Sequence, residues 1–149
     1  MTVLETAITF QGKTLVEREF YDADDVLDHN IRNSLLQAIS GLADEAFGDE
    51  IQNFTLGEHS IILITREIEE PINPDNKQNL QMYAIVEKDT DEKTVKKCME
   101  DAMNQFLNRF SVNYIFQKKT RKFRKFPKRL DKIFQDLRLR TEDRFKTLF

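Results

Sequence analysis

The sequence has little cysteine, little glycine and no long hydrophobic run, and each shortage excludes a class of protein. The single cysteine, Cys98, excludes an intramolecular disulfide and favours a reducing compartment. The four glycines are scattered, so no glycine-rich loop is available to hold a phosphate. No stretch approaches the ~18 apolar residues that a membrane-spanning helix needs. The N-terminus lacks a basic segment followed by an apolar run, so we expect no secretory signal and a cytoplasmic protein, either free or peripheral to a membrane.

Catalytic and metal-binding patterns are also sparse. The two histidines, His29 and His59, have no cysteine or serine beside them in a nucleophile motif. Cys98 lies on an apolar helical stripe, which is typical of a buried structural thiol. The aspartates between residues 22 and 28 lack the glycine and the twelfth-position glutamate of a calcium loop, and helix capping explains them better. We therefore predict no enzyme, no cofactor and no metal, and keep an enzyme that uses the acidic cluster as a third hypothesis.

Charge divides the chain of 149 residues into two parts. Residues 1–116 carry 10 Lys and Arg against 22 Asp and Glu, a net charge of −12. Residues 117–149 carry 13 basic residues against 4 acidic ones, a net charge of +9. The length fits one compact domain. We therefore predict a folded domain over residues 1–116, followed by a basic segment and an amphipathic helix over residues 117–149.

The first half of the chain predicts a hairpin, a helix and two more strands. Residues 4–10 alternate, with Leu4, Ile8 and Phe10 on one face, and the turn at residues 11–13 leads to a second extended segment ending at Phe20. Apolar residues three or four apart then predict one long helix, which ends near Gly48. Strands are predicted over residues 51–56 and 60–68, and the second of these is apolar on both faces.

The second half predicts one more strand and two helices. A proline-containing loop over residues 69–79 precedes a strand over residues 80–87. A helix follows with apolar spacing from Val95 to Phe110, and Asp89 with Glu92 resembles its capping box. A last helix begins near Pro127, a favoured first-turn residue. The predicted fold is an α/β (α+β) domain with a five-stranded, mainly antiparallel sheet, helices on both faces and the order β-β-α-β-β-β-α-α.

This order resembles the longin domain, a profilin-like module of membrane-trafficking proteins. The resemblance covers roughly residues 4–116 and depends on the hairpin at residues 8–13, the long helix after it, and the strand at residues 80–86 paired with a helix that ends at residues 106–110. Roadblock domains share much of the topology and are the second choice. They normally begin with a helix, whereas this chain begins with a strand.

The resemblance implies a non-enzymatic adaptor that binds a small GTPase or a sister longin or roadblock domain. Such domains bind partners through the sheet edge, the first helix or the helical face, and a homodimer is a further alternative. None of these partners follows from composition or spacing.

A basic run supplies the strongest candidate site. Two phenylalanines lie among eight basic residues there, and we predict that these residues bind an anionic surface: Lys118, Lys119, Arg121, Lys122, Phe123, Arg124, Lys125, Phe126, Lys128 and Arg129. An anionic membrane would attract the charges and accept the rings. A nucleic acid would offer phosphates and stacking bases, which makes nucleic-acid binding the alternative function. Two interpretations remain. The basic run binds an acidic protein partner, or the chain's own acidic part neutralises its charge.

The last helix carries an apolar stripe that is either packed on the domain or released to a partner helix. The stripe consists of Leu130, Ile133, Phe134, Leu137, Phe145 and Leu148. The sequence leaves both interpretations open.

Overall fold

A computed structural model describes residues 2–20, 51–56, 58–135 and 137. Within these ranges the strands are β1 (Val3–Phe10), β2 (Lys13–Glu19), β3 (Ile51–Leu56), β4 (His59–Glu69) and β5 (Lys77–Glu87). The helices are α1 (Glu92–Arg109), α2 (Val112–Phe116), the 3-10 helix η1 (Thr120–Phe123) and α3 (Pro127–Ile133). The predicted α+β class with an antiparallel sheet is confirmed. The predicted helix that ends near Gly48 lies outside the described residues.

The strands form one sheet in the order β2-β1-β5-β4-β3, and every neighbouring pair is antiparallel. β1 and β2 are joined by a tight turn in which Gln11 and Gly12 both have positive φ, at 49° and 78°. Two successive left-handed residues define the turn whose twist matches a β-hairpin. The order places β1, β5 and β4 inside the sheet, with β5 at its centre, and leaves β2 and β3 at its edges.

The predicted alternation of β1 is wrong at Leu4. Val3, rather than Leu4, joins Ile8 and Phe10 in the main core, because the pairing register with β5 shifts between Val3 and Glu5. β1 is also buried on both faces along nearly its whole length. The buried Thr6 side chain of β1 has a hydrogen-bond partner: its Oγ1 donates a 2.9 Å hydrogen bond to the carbonyl oxygen of Tyr83.

The main core lies between one face of the sheet and the helices that follow β5. The sheet contributes Ile8, Phe10, Ile62, Ile64, Leu80, Met82 and Ala84, and α1 contributes Val95, Met99, Ala102, Met103 and Phe106. Apolar residues at helical spacing produce this arrangement, because they fall on one side of α1 and pack on the sheet. Cys98 is only partly buried at the margin of this core.

The N-terminal cap of α1 is Asp91, so the predicted capping box of Asp89 and Glu92 is wrong. The Asp91 carboxylate accepts bonds from the Lys93 backbone N–H at 3.3 Å and the Thr94 hydroxyl at 2.6 Å. These bonds hold the pKa of Asp91 below its ordinary value, the Thr94 bond having the larger effect. The helix therefore starts at Glu92, one residue after its cap.

The chain after α1 has more elements than the sequence predicts. Two short segments, α2 and η1, separate α1 from α3, whereas the sequence predicted no element between Phe110 and Pro127. The last helix does begin at Pro127, and it ends at Ile133 with Phe134 as its C-cap. Residues 138–149, which include the predicted stripe positions Phe145 and Leu148, lie outside the described residues.

Candidate anion-binding surface

The two phenylalanines of the basic run point into the protein. Phe123 is 0% exposed and Phe126 is 2% exposed. The Phe123 ring centroid lies 5.0 Å from that of Phe106 and 4.9 Å from that of Phe110, and the Phe126 centroid lies 5.3 and 5.9 Å from the same two rings. These tilted and edge-on contacts are favourable arrangements for aromatic rings. In this conformation the two rings cannot enter a bilayer or stack on bases.

The apolar stripe of the last helix continues the same inward face. Leu130 and Phe134 are fully buried, Leu137 is nearly so, and Ile133 is partly buried against the core. The Val3 backbone N–H donates a 2.6 Å hydrogen bond to the Leu137 carbonyl, which ties the segment to β1. In the described residues, therefore, this predicted partner face packs on the domain as far as Leu137.

The sequence contains a signal for this packing that the basic residues obscure. Positions 123, 126, 130, 134 and 137 are apolar and are separated by three or four residues throughout. That spacing is the pattern of one buried helical side. The two phenylalanines thus belong to the stripe of the last helix, although η1 and a turn interrupt the helix itself.

The basic side chains between these apolar positions stay at the surface. Arg121, Lys122, Arg124 and Lys125 are exposed, and together with Arg109 from the last turn of α1 they line a depression of about 620 Å³. Phe110 and Phe126 also line it. Charges from two separate parts of the chain therefore meet over the buried ring cluster.

A second, smaller depression of about 160 Å³ continues this surface. Its lining residues are all basic, and they are Arg109, Lys125, Lys128, Arg129 and Lys132. Arg109 and Lys125 line both depressions, so the two form one continuous patch. The eight cations of the two depressions form the basic face: Arg109, Arg121, Lys122, Arg124, Lys125, Lys128, Arg129 and Lys132.

The basic face and the predicted site differ in four residues. Arg109 and Lys132 belong to the basic face but not to the predicted site. Lys118 and Lys119 belong to the predicted site but line neither depression. The Lys119 ammonium instead lies 5.9 Å from the Tyr114 ring centroid, and the Lys122 ammonium lies 5.2 Å from it. Only a tertiary contact between α1 and the basic run could reveal the position of Arg109.

No carboxylate lines either depression among the described residues. Asp131 is the one acidic residue between positions 118 and 135. Its oxygens accept two hydrogen bonds from Arg18 of β2, at 2.8 Å from Nε and 3.0 Å from Nη2. This bidentate pair joins Asp131 to Arg18 at the sheet edge, so the carboxylate is already neutralised by a cation outside the basic face.

A different depression of about 640 Å³ lies where β4 begins and β5 ends. It is lined by Glu58, His59, Glu87, Lys88 and Asp89. Burial lowers the pKa of His59, although Glu87 and Glu58 raise it in part. Within the described ranges no group of three or more His, Cys, Asp or Glu is placed to hold a metal ion. His29, the other histidine, lies outside those ranges.

The sheet edge at β3 is a second candidate surface. β3 pairs with β4 alone in the strand order, from Ile51 opposite Ile64 to Leu56 opposite His59. The other edge strand, β2, is contacted by η1 and α3 and bears the Arg18–Asp131 pair. Charged side chains and covering elements protect an edge from pairing, so β3 is the edge better suited to a partner strand.

No helix in the described part of the chain is long and apolar enough to cross a membrane. In comparisons with known proteins, no family model and no curated protein sequence matches this chain.

Proposed function

We propose that this chain is a non-enzymatic adaptor of the longin type that binds a small GTPase or a sister longin or roadblock domain. The observation that carries the proposal is the edge position of β3 in an antiparallel sheet. An edge strand offers backbone N–H and C=O groups to an extended segment of a partner. The resemblance to longin domains implies the same mode of binding, since the sheet edge is one of their contact surfaces.

The order of the described elements supports the proposal. A hairpin opens the chain, three further strands follow, and α1 packs on one face of the sheet. The complete order β-β-α-β-β-β-α-α, with five strands and helices on both faces, is part of the proposal. It includes the predicted helix before Gly48.

The test is a proline in β3 that removes an outward backbone donor. Leu56 and His59 are directly opposed across the turn, and such a closing pair is hydrogen-bonded. Thr55 is the next residue, so its N–H points away from β4. Proline is tolerated at such an edge position but cannot pair with an added strand. We expect Thr55→Pro to abolish recovery of a partner in pull-downs with small GTPases, in both nucleotide states, and with longin and roadblock domains.

Thr14→Pro in β2 is the matched control. Thr14 is exposed and adjoins the closing pair of its own hairpin, Phe10 and Lys13, so its N–H also faces outward. We expect Thr14→Pro to bind like the wild type. Equal binding by Thr55→Pro and wild type would exclude the β3 edge as the contact. If the wild type recovers none of these GTPases or domains in the pull-downs, the adaptor proposal is overturned.

A second candidate function, nucleic-acid binding, is favoured by the basic face. With Phe123 and Phe126 buried, contact would be to backbone phosphates, and binding would show little sequence preference. For a single strand that contacts all eight cations, the logarithm of affinity should fall with the logarithm of salt concentration at a slope of about −6. Titration of single-stranded RNA at several salt concentrations measures this slope. A slope near zero, or no binding, would exclude the second function.

A further inference from the structure

We propose that the basic face docks on a bilayer that contains anionic phospholipid, and that it does so without inserting an aromatic side chain. The inference does not depend on the adaptor function, which concerns the opposite edge strand of the sheet. It rests on the position of the eight cations, on the absence of carboxylates around them in the described residues, and on the burial of the rings between them.

The cations are held in place by the protein core. They come from the last turn of α1, from η1 and the turn after it, and from α3. The rings of Phe106, Phe110, Phe123 and Phe126 pack together below them, with centroid distances from 4.9 to 5.9 Å. A fixed array loses less conformational freedom on binding than a flexible polybasic tail would. The two open depressions then act as one preformed surface for phosphate-bearing headgroups.

Among the described residues no carboxylate lines the two depressions, so the field of the basic face is directed to solvent. Asp131 is paired with Arg18, and no other acidic residue occurs between positions 118 and 135. Opposing charge elsewhere on the acidic part of the chain is screened beyond about 8 Å at physiological salt. A bilayer meets the molecule from one side only, so it can approach the cations without approaching the whole acidic surface.

A bilayer fits this surface better than the other anionic partners. Four of the eight cations are lysines, and lysine is depleted in protein–protein interfaces. Single-stranded nucleic acid relies on exposed aromatic rings for stacking, whereas Phe123 and Phe126 are buried. Anionic lipids need only positive charge near the surface and diffuse laterally to gather beneath it. Because no ring is inserted, attachment is electrostatic, reversible and sensitive to salt.

The experiment is co-sedimentation of the full chain with vesicles of phosphatidylcholine alone and with vesicles containing about 30% phosphatidylserine, both at ~150 mM salt. The test variant is Arg109→Gln/Lys125→Gln, which removes the two cations that line both depressions. The matched control is Lys118→Gln/Lys119→Gln, which also removes two positive charges but from residues that line neither depression. Circular dichroism spectra and melting temperatures establish that both variants are folded.

We expect the wild type to sediment with the anionic vesicles only and to be released at high salt. Each cation near an anionic surface contributes about fivefold in partitioning, so the test variant should bind about 25-fold more weakly. The control variant should lose clearly less vesicle binding than the test variant. Equal losses in the two variants would overturn the docking geometry, because the linear sequence would then account for binding.

Two further results would overturn the proposal itself. One is the absence of sedimentation with anionic vesicles. The other is binding to single-stranded RNA that Arg109→Gln/Lys125→Gln abolishes while vesicle binding is absent, which would assign the basic face to nucleic acid. Neither result affects the pull-down with Thr55→Pro, so failure of this inference and failure of the adaptor function can be told apart.

Discussion

Replacement of Phe123 by alanine should cost about 4 kcal/mol of unfolding free energy. Phe123 is 0% exposed and touches two other rings. Transfer of a buried phenylalanine side chain contributes about 1.5–3 kcal/mol. Loss of the ring contacts and the cavity that remains bring measured Phe→Ala costs in protein cores to about 3–5 kcal/mol. For a domain of this length the melting temperature should fall by about 8–16 °C.

Urea denaturation followed by far-ultraviolet circular dichroism is the suitable assay, because the chain has no tryptophan to report on unfolding. The midpoint should shift while the slope with denaturant stays constant. Arg124→Ala is the control, since Arg124 is the exposed neighbour of Phe123 and should change stability by less than about 0.5 kcal/mol. A loss below about 1 kcal/mol for Phe123→Ala would contradict the burial of this ring. It would mean that the basic segment is detached in solution and that its rings are free to enter a membrane.

Three further predictions concern single side chains. A double-mutant cycle of Arg18→Ala and Asp131→Ala should give a coupling of about 0.3–1 kcal/mol, because the pair is partly exposed; zero coupling would show that the pair does not form. The pKa of His59 is lowered in the fold from its ordinary value of 6.5, so its neutral form stabilises the protein above about that pH, and this stabilisation is lost as the pH falls through the folded pKa. The melting temperature of the wild type should therefore fall more steeply than that of His59→Gln between pH 7.5 and pH 5, and parallel curves would contradict this. Asp91→Ala should lower the melting temperature at neutral pH through loss of the α1 cap, and the difference should disappear as the pH falls below the depressed pKa of Asp91; a difference unchanged at acid pH would contradict the role of the carboxylate.

The sequence predicted the strands well because their signals are local. The turn at Gln11 and Gly12 separates β1 from β2, and the observed strands begin or end within a few residues of the predicted limits. Two helices also have local signals. Apolar spacing predicted α1, and a proline favoured in a first turn predicted the start of α3 at Pro127. The errors at Leu4 and at the cap of α1 are shifts of one or two residues. Such shifts depend on pairing register and on side-chain hydrogen bonds that composition does not specify.

The basic segment was harder to interpret because two patterns overlap in it. The charges suggested a solvated tail with rings free to bind, while the spacing of Phe123, Phe126, Leu130, Phe134 and Leu137 belongs to a buried side. The second pattern accounts for the observed burial. A phenylalanine that can reach a core gains more from burial than from exposure among lysines, so the apolar stripe determines which way the backbone turns.

The antiparallel α+β class, the inward face of α1 and the positive charge of the segment from Lys118 to Arg129 are predictable from the sequence alone. These properties follow from the order of residues along one element. The shared surface of Arg109 and Lys132 with the cations of residues 121–125, and the pairing of Asp131 with Arg18, are visible only in the folded protein. These positions depend on packing between residues far apart in the chain. The physical reason is the ring cluster, which fixes the end of α1 against the start of α3 and so brings their charges together.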